Sequence, residues 1–290
     1  MAIAARSSGS NVSAATHRRI AVRTAGHRQG PITRLMSPGD LGELVKPFVF
    51  LDYFELGDVA RTGMPVHPHS GIATHTTLLE GSVDYADSTG KAGTLAPRSI
   101  EWMQAGGGVW HGGGPAGGAL RGFQLWIALP PALELADAFS DYVGDAAIPR
   151  DGDARLLLGS YRELESPIRY REPITYLSVR LRDGERWTYR APATHDVAWL
   201  AVATGGLRVD GELLRRELAV FEDGSAPIEV VAHGDTEFVI ASAAKHPFPL
   251  VTGYYSVHTN PAALVRGEAG YAAIAKTMAL TPGRPIDARR

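Results

Sequence analysis

Residues 67–111 read "HPHSGIATHTTLLEGSVDYADSTGKAGTLAPRSIEWMQAGGGVWH", a stretch that bears on fold and chemistry at once. Its β-prone runs are short and separated by Gly, Asp and Pro turns, the punctuation of a sandwich or barrel. In a strand, residues i and i+2 share a face, so His67 and His69 present two imidazoles side by side across Pro68. Pointed into a barrel, such a pair is costly to bury without a partner, and a metal ion is one way to satisfy both. His111 is a third candidate, because the glycines around it let the backbone approach other elements closely. By itself an HxH pair also occurs on ordinary strands, with its imidazoles hydrogen-bonded or solvated.

Outward from this stretch the pattern continues. "PFVFLDYF", "GFQLWIALP", "ITYLSVRL", "VAWLAVATGG", "LAVFEDG", "IEVVAHGD" and "EFVIASAA" are further strand-like runs between turns. "TTLLEGSVDYADSTGKAGTL…IEWMQAG" is echoed about 120 residues later by "AVATGGLRVDGELLRRELAVFEDGSAPIEVVAHG". Two similar all-β units placed head to tail predict two barrels, with 131–165 as connector. The expected domains are a tail over 1–16, an N-terminal barrel over 17–145 and a C-terminal barrel over 146–290. Helical periodicity is confined to 131–143 and 261–278, each opening on proline at a favourable first-turn position.

Composition narrows the function classes. The 290 residues carry a formal net charge of −2 and no basic stripe, which argues against nucleic acid or an anionic membrane as partner. No apolar run approaches the roughly 18–20 residues needed to span a bilayer. The chain has no cysteine, which removes disulfides, thiolate ligands and cysteine nucleophiles. Any metal must then sit on imidazole, carboxylate or water, which suits iron, copper, nickel, manganese or zinc. The absence of cysteine is compatible with a cytoplasmic location, the expected one. The Arg- and Ser-rich start has the composition of an organellar transit peptide or of a disordered tail.

Taken with "PFVFLDYFELG", "RGFQLWIALP" and "HPFPLVTGYYSVHTN", the 67–111 stretch resembles the pirin family of the cupin superfamily, over about residues 17–280. The resemblance implies a bicupin: all-β, two consecutive cupin-type barrels, with a few short helices between them and at the C-terminus. It also implies one metal, usually Fe(II), in the N-terminal barrel. The ligands would be His67, His69, His111 and a glutamate two residues beyond the last. Gly113 occupies that fourth position. The other carboxylate position that cupins use, four residues after His69, is Ala73. Three neutral imidazoles carry one negative charge fewer, so a divalent ion should bind more weakly than in relatives.

His75 is the candidate replacement, as fourth ligand, pocket residue or catalytic group, with a hydrogen-bonded interior or surface histidine as the alternative. Gln124, polar among apolar neighbours, is the second catalytic candidate. Glu101 has no determined strand face: it reads as a solvated glutamate in preference to one that reaches inward. Trp102, Met103, Trp110, Phe123 and Trp126 read mainly as core. His195, His233, His246 and His258 lack HxH spacing, so the second barrel is expected to be metal-free. The resemblance implies two functions. One is a quercetinase-type dioxygenase acting on a small aromatic substrate, with flavonol cleavage expected to be slow or absent because the carboxylate is missing. The other is a redox-responsive regulator that contacts a protein partner. An open apolar approach to the histidines favours the first, and a closed site with a charged rim the second.

Overall fold

Runs that are apolar on both faces, such as "FVFLDYFEL" and "ITYLSVRL", become central strands that are buried on both sides. The computed structural model describes residues 17–57 and 64–278, and in it the chain forms two barrels, each made of a long and a short antiparallel sheet. The long sheet of the first barrel runs Phe139–Val143, Ile100–Gln104, Ile72–Glu80, Leu120–Ala128, Phe48–Leu56, Ile32–Met36 and His27–Gln29. Its short sheet runs Met64–His69, Val109–Pro115, Val83–Asp87 and Ala92–Leu95. The second barrel repeats the plan. Its long sheet runs Ile20–Thr24, Leu218–Phe221, Val197–Thr204, Thr236–Ala243, Ile174–Leu181, Ala154–Tyr161 and Arg150–Asp151. Its short sheet runs Arg186–Tyr189, Ile228–Ala232, Leu207–Val209 and Glu212–Leu214. The bicupin expectation and the internal echo are both met.

The two long sheets pack face to face. Trp102, Phe123 and Leu125 of the first meet Leu157, Tyr176 and Trp199 of the second in one buried core. A large side chain fully buried in this way contributes about 1.5–3 kcal/mol. Because this shared core covers the outer face of each long sheet, the inner faces are free to differ.

Three expectations need correction. "IAVRT" is a strand, Ile20–Thr24, but it pairs with Leu218–Phe221 and so completes the second barrel. The chain's other end also crosses: Trp110 of the first barrel donates from Nε1 to the carbonyl of Tyr271 at 2.7 Å. A boundary near 145 therefore separates the two sets of sheets except for the strand Ile20–Thr24. The expected helix over 131–143 is instead a series of turns followed by the strand Phe139–Val143, which pairs with the edge of Ile100–Gln104. Pairing with a buried sheet outweighed local amphipathicity there. The C-terminal helix does form, as Pro261–Thr277, with the Asn260 side chain accepting from Ala263 N at 2.9 Å. Residues 1–16, the tail or transit segment, lie outside the described residues. Among the described residues no helix is long and apolar enough to cross a membrane.

Candidate metal centre

His67 and His111 are direct cross-strand partners, and His69 lies opposite Val109 on the same ladder. The i, i+2 rule puts His69 on the face of His67, and the pairing puts His111 there too. One donor atom from each ring lies within 4.8 Å of the others, the only such group among the described residues. The Nε2 atoms of His67 and His111 are 3.1 Å apart. Two nitrogens bound to one ion at about 2.1 Å stand roughly 3.0–3.4 Å apart, so this spacing fits a shared ion.

For His67 and His69 the far side of the ring fixes the tautomer. His67 Nδ1 lies 2.7 Å from the Pro65 carbonyl and His69 Nδ1 2.9 Å from the Tyr255 carbonyl. A carbonyl only accepts, so both Nδ1 atoms carry the proton and both Nε2 lone pairs face the cluster. Burial, and then the charge of neighbouring imidazoles, drives His67 down to about 3 and His69 well below its ordinary value. Both rings are therefore neutral at pH 7. His67 Nε2 thus turns its lone pair toward His111 Nε2 at 3.1 Å, a gap that either an N–H of His111 or a shared cation bridges, and with His69 Nε2 facing the same cluster the residues present fit a metal ion.

The third ring has a carboxylate behind it. Glu101 Oε1 is 3.8 Å from His111 Nδ1. Glu101 is buried and not solvated, so the expectation for this residue is corrected. Desolvation raises its pKa, but His111 and the Thr76 hydroxyl outweigh that and leave it below the usual carboxylate value. Sequence reasoning missed it because "IEWMQ" is buried at every position, so no apolar alternation marks which face looks inward.

Glu101 belongs to a polar row on the inner face of the long sheet. Register aligns Glu101, Thr76, Gln124, Asp52 and Arg34 across five strands. Thr76 Oγ1 touches Glu101 Oε2 and also lies 2.8 Å from Gln124 Oε1. With one proton to give, it serves the charged acceptor. Gln124 Nε2 is buried and has no hydrogen-bond partner among the described residues, so the half-buried amide has hydrogen-bonding capacity left over.

His75 lies elsewhere. It is paired with Trp102 and Leu125, faces the core between the barrels, and sits 5.2 Å, ring to ring, from Tyr176 of the second barrel. Its Nε2 is 3.4 Å from the Leu157 carbonyl and its Nδ1 3.2 Å from Thr77 Oγ1. The sequence reading correctly gave His75 and Ala73 one face, but that face is the outer one. As ligand, pocket residue or catalytic group, His75 is on the wrong side of the sheet.

Gly113 is more than an empty ligand position. The ladder slips between His111 and Gly113, so that Gly113 pairs with Met64. A Cβ on Gly113 would stand 2.2 Å from the Asp84 carbonyl oxygen. Any side chain there, glutamate included, would push the neighbouring strand away.

Above the histidines the walls are aromatic. Trp126 stacks on Phe50 at 4.1 Å and meets His69 edge-on at 4.9 Å. Tyr255, from the C-terminal hairpin, lies 5.0 Å from His67. These rings border an open cleft of about 510 Å³, which also touches Arg34, Tyr254 and Ser256. Nothing in the sequence around Tyr255 marks it as part of the site, because a hairpin almost 190 residues from His69 delivers it. In the second barrel His195 bonds Ser242, while His258, on the C-terminal hairpin, bonds Glu134 and Ser70; neither ring joins the cluster.

Two tandem barrels of this topology, with three histidines converging inside the first, define a bicupin. The family model described as Pirin matches residues 31–127. A Pseudomonas aeruginosa protein, PA2418, named provisionally as a quercetin 2,3-dioxygenase, is 30% identical over 241 residues, or 77% of this chain and 84% of its own. A pirin-like protein of Caulobacter vibrioides is 33% identical over 64% of this chain and 69% of its own. The chain belongs to the pirin family. Among solved structures, a quercetin 2,3-dioxygenase from Acinetobacter baumannii superposes with a TM-score of 0.80 at 23% identity, over 90% of this chain and 98% of that one. The bacterial pirin YhhW of Escherichia coli, solved with nickel(II), gives 0.61 at 17% identity over 76% and 94%.

Proposed function

We propose that His67, His69 and His111 hold one divalent transition metal and that the protein oxygenates a planar aromatic ligand bound in the cleft beside them. Convergence of three imidazoles beside an aromatic-walled cleft carries this reading. Tyr255 and Trp126 line the cleft and also touch His67 and His69, and an aromatic lining favours a small-molecule substrate over a protein partner. Imidazole ligation is compatible with iron(II), the metal the pirin resemblance implies, and with nickel, copper, manganese or zinc as competitors.

A bound metal would supply a Lewis acid and a template for dioxygen. The chain's own residues do the rest. Phe50, Trp126 and Tyr255 offer flat apolar faces, and the spare amide of Gln124 offers a hydrogen bond to a substrate oxygen. Glu101 stands behind the His111 ring, where it orients that imidazole and makes it a stronger donor. It is badly placed to take a proton directly from a substrate hydroxyl, so slow or absent flavonol cleavage remains the expectation. Oxygen uptake by the iron-loaded protein, screened over flavonols and smaller hydroxylated aromatics, tests the proposal. Turnover that requires His67 and His69 and weakens in KM with Gln124→Ala supports it. A metal-loaded protein that consumes no oxygen with any of these ligands overturns it and leaves the regulator reading.

A further inference from the structure

On the opposite side of the long sheet from the histidines, guanidinium groups crowd the seam between the barrels. Asp145 is 2.7 Å from Arg150, 2.7 Å from Arg155 and 3.7 Å from Arg98. Glu237 is 2.6 Å from Arg180, 3.4 Å from Arg121 and 3.8 Å from Arg98. Glu80, largely exposed, lies 3.5 Å from Arg121. Five arginines thus face three carboxylates, an excess of two positive charges in a partly desolvated seam.

The excess is not absorbed by hydrogen bonding. Among the described residues, Arg98 Nη1, Arg121 Nη1, and Arg155 Nε and Nη1 are buried without an acceptor at hydrogen-bond distance, although Arg98 Nη1 is 3.8 Å from Glu237 and Arg121 interacts with the Tyr53 hydroxyl. Arg155 is almost wholly buried, and burial followed by the charge of Arg98 draws it down to about 10 despite Asp145. Unmet charged donors in a low-dielectric seam are unfavourable unless an anion completes them. Guanidinium forks match the oxygens of tetrahedral oxyanions.

We propose that this seam binds a compact, multiply charged oxyanion of the phosphate class, held between Arg98 and Arg121 of the first barrel and Arg155 and Arg180 of the second. The two outer arginines, Arg150 and Arg180, keep 43% and 49% of their side-chain surface exposed and mark the open side. The unmet donors lie deeper, so they suit a small anionic group and not an acidic protein surface. Binding there ties the barrels together and is independent of the metal centre.

The test is calorimetric titration of the full chain with inorganic phosphate, pyrophosphate and phenyl phosphate at matched ionic strength, with chloride as the control. Saturable binding at one site per chain is expected, together with a rise in Tm. Arg98→Gln and Arg180→Gln should each weaken it about tenfold or more. Without anion, Arg98→Gln should melt no lower than wild type, because it relieves like-charge repulsion. A purely structural ion network would lose stability instead. Binding of inorganic phosphate but not phenyl phosphate would identify an enclosed free anion, and binding of both would identify the headgroup of a larger molecule. No saturable binding, or equal binding by wild type and both variants, would overturn the proposal. Either variant suffices if the other fails to fold.

Discussion

In the second barrel the inner faces of both sheets close on Leu156, Leu177, Leu200, Val202, Phe221 and Phe238, all buried in one apolar cluster. In the first barrel, built on the same strand order, the inner face carries Glu101, Thr76, Gln124, Asp52 and Arg34, with His67, His69 and His111 converging within it. The strands that carry the histidines, Met64–His69 and Val109–Pro115, have Arg186–Tyr189 and Ile228–Ala232 as counterparts. There the facing residues are Trp187 and Val230. One topology therefore supports a sealed core and a polar chamber, and the shared apolar layer between the barrels lets the first give up an apolar filling. On the proposed reading the metal chemistry belongs to the first half, while the second is filled by apolar packing.

If so, the halves should respond to substitution in different currencies. Leu200→Ala in the second barrel should cost about 2–5 kcal/mol in urea unfolding and leave metal content unchanged. An altered metal content would break the comparison.

The interface between the halves should show as acid sensitivity. Burial, with the Leu157 carbonyl opposing, holds His75 at about 4, whereas the unfolded chain takes that proton near 6.5. The unfolded state binds more protons between those values. The contribution is therefore complete above about pH 6.5 and lost as pH falls toward 4, up to about 3 kcal/mol. His75→Gln should flatten that part of the stability profile, read from urea midpoints at a series of pH values. An unchanged slope would mean that His75 is already charged in the fold.

Within the first barrel, Glu101→Gln should weaken metal affinity about 10–100-fold, the usual cost of losing a carboxylate behind a ligating histidine. Glu101→Asp should recover part of it. Equal affinity in wild type and Glu101→Gln would remove the carboxylate from the account. The smallest effect expected is at Gly113. Gly113→Ala should lower stability by about 1–2 kcal/mol, because its Cβ meets the Asp84 carbonyl. A neutral Gly113→Ala would show that the strand yields there and would reopen the position to a ligand.

How much was legible in advance follows the same division. The three histidines could be read because strand alternation and cross-strand pairing act over short spans, and the resemblance supplied their register. Thr76 and His75 are chain neighbours on opposite faces of a strand with eight buried positions, so hydrophobicity could not say which looked inward, and His75 was assigned to the chamber. Glu101 was lost for the same reason. Tyr255 and the crossing strand Ile20–Thr24 depend on contacts between segments far apart in sequence, which no local pattern encodes.

The central claim is that the three converging histidines, and not His75, make a metal site. Elemental analysis of purified wild type, the His67→Ala/His69→Ala double variant and His75→Ala tests it most directly. The account predicts near-stoichiometric divalent transition metal in wild type and His75→Ala, and none in the double variant. Metal retained by the double variant, lost in His75→Ala, or absent from wild type even after reconstitution would contradict it.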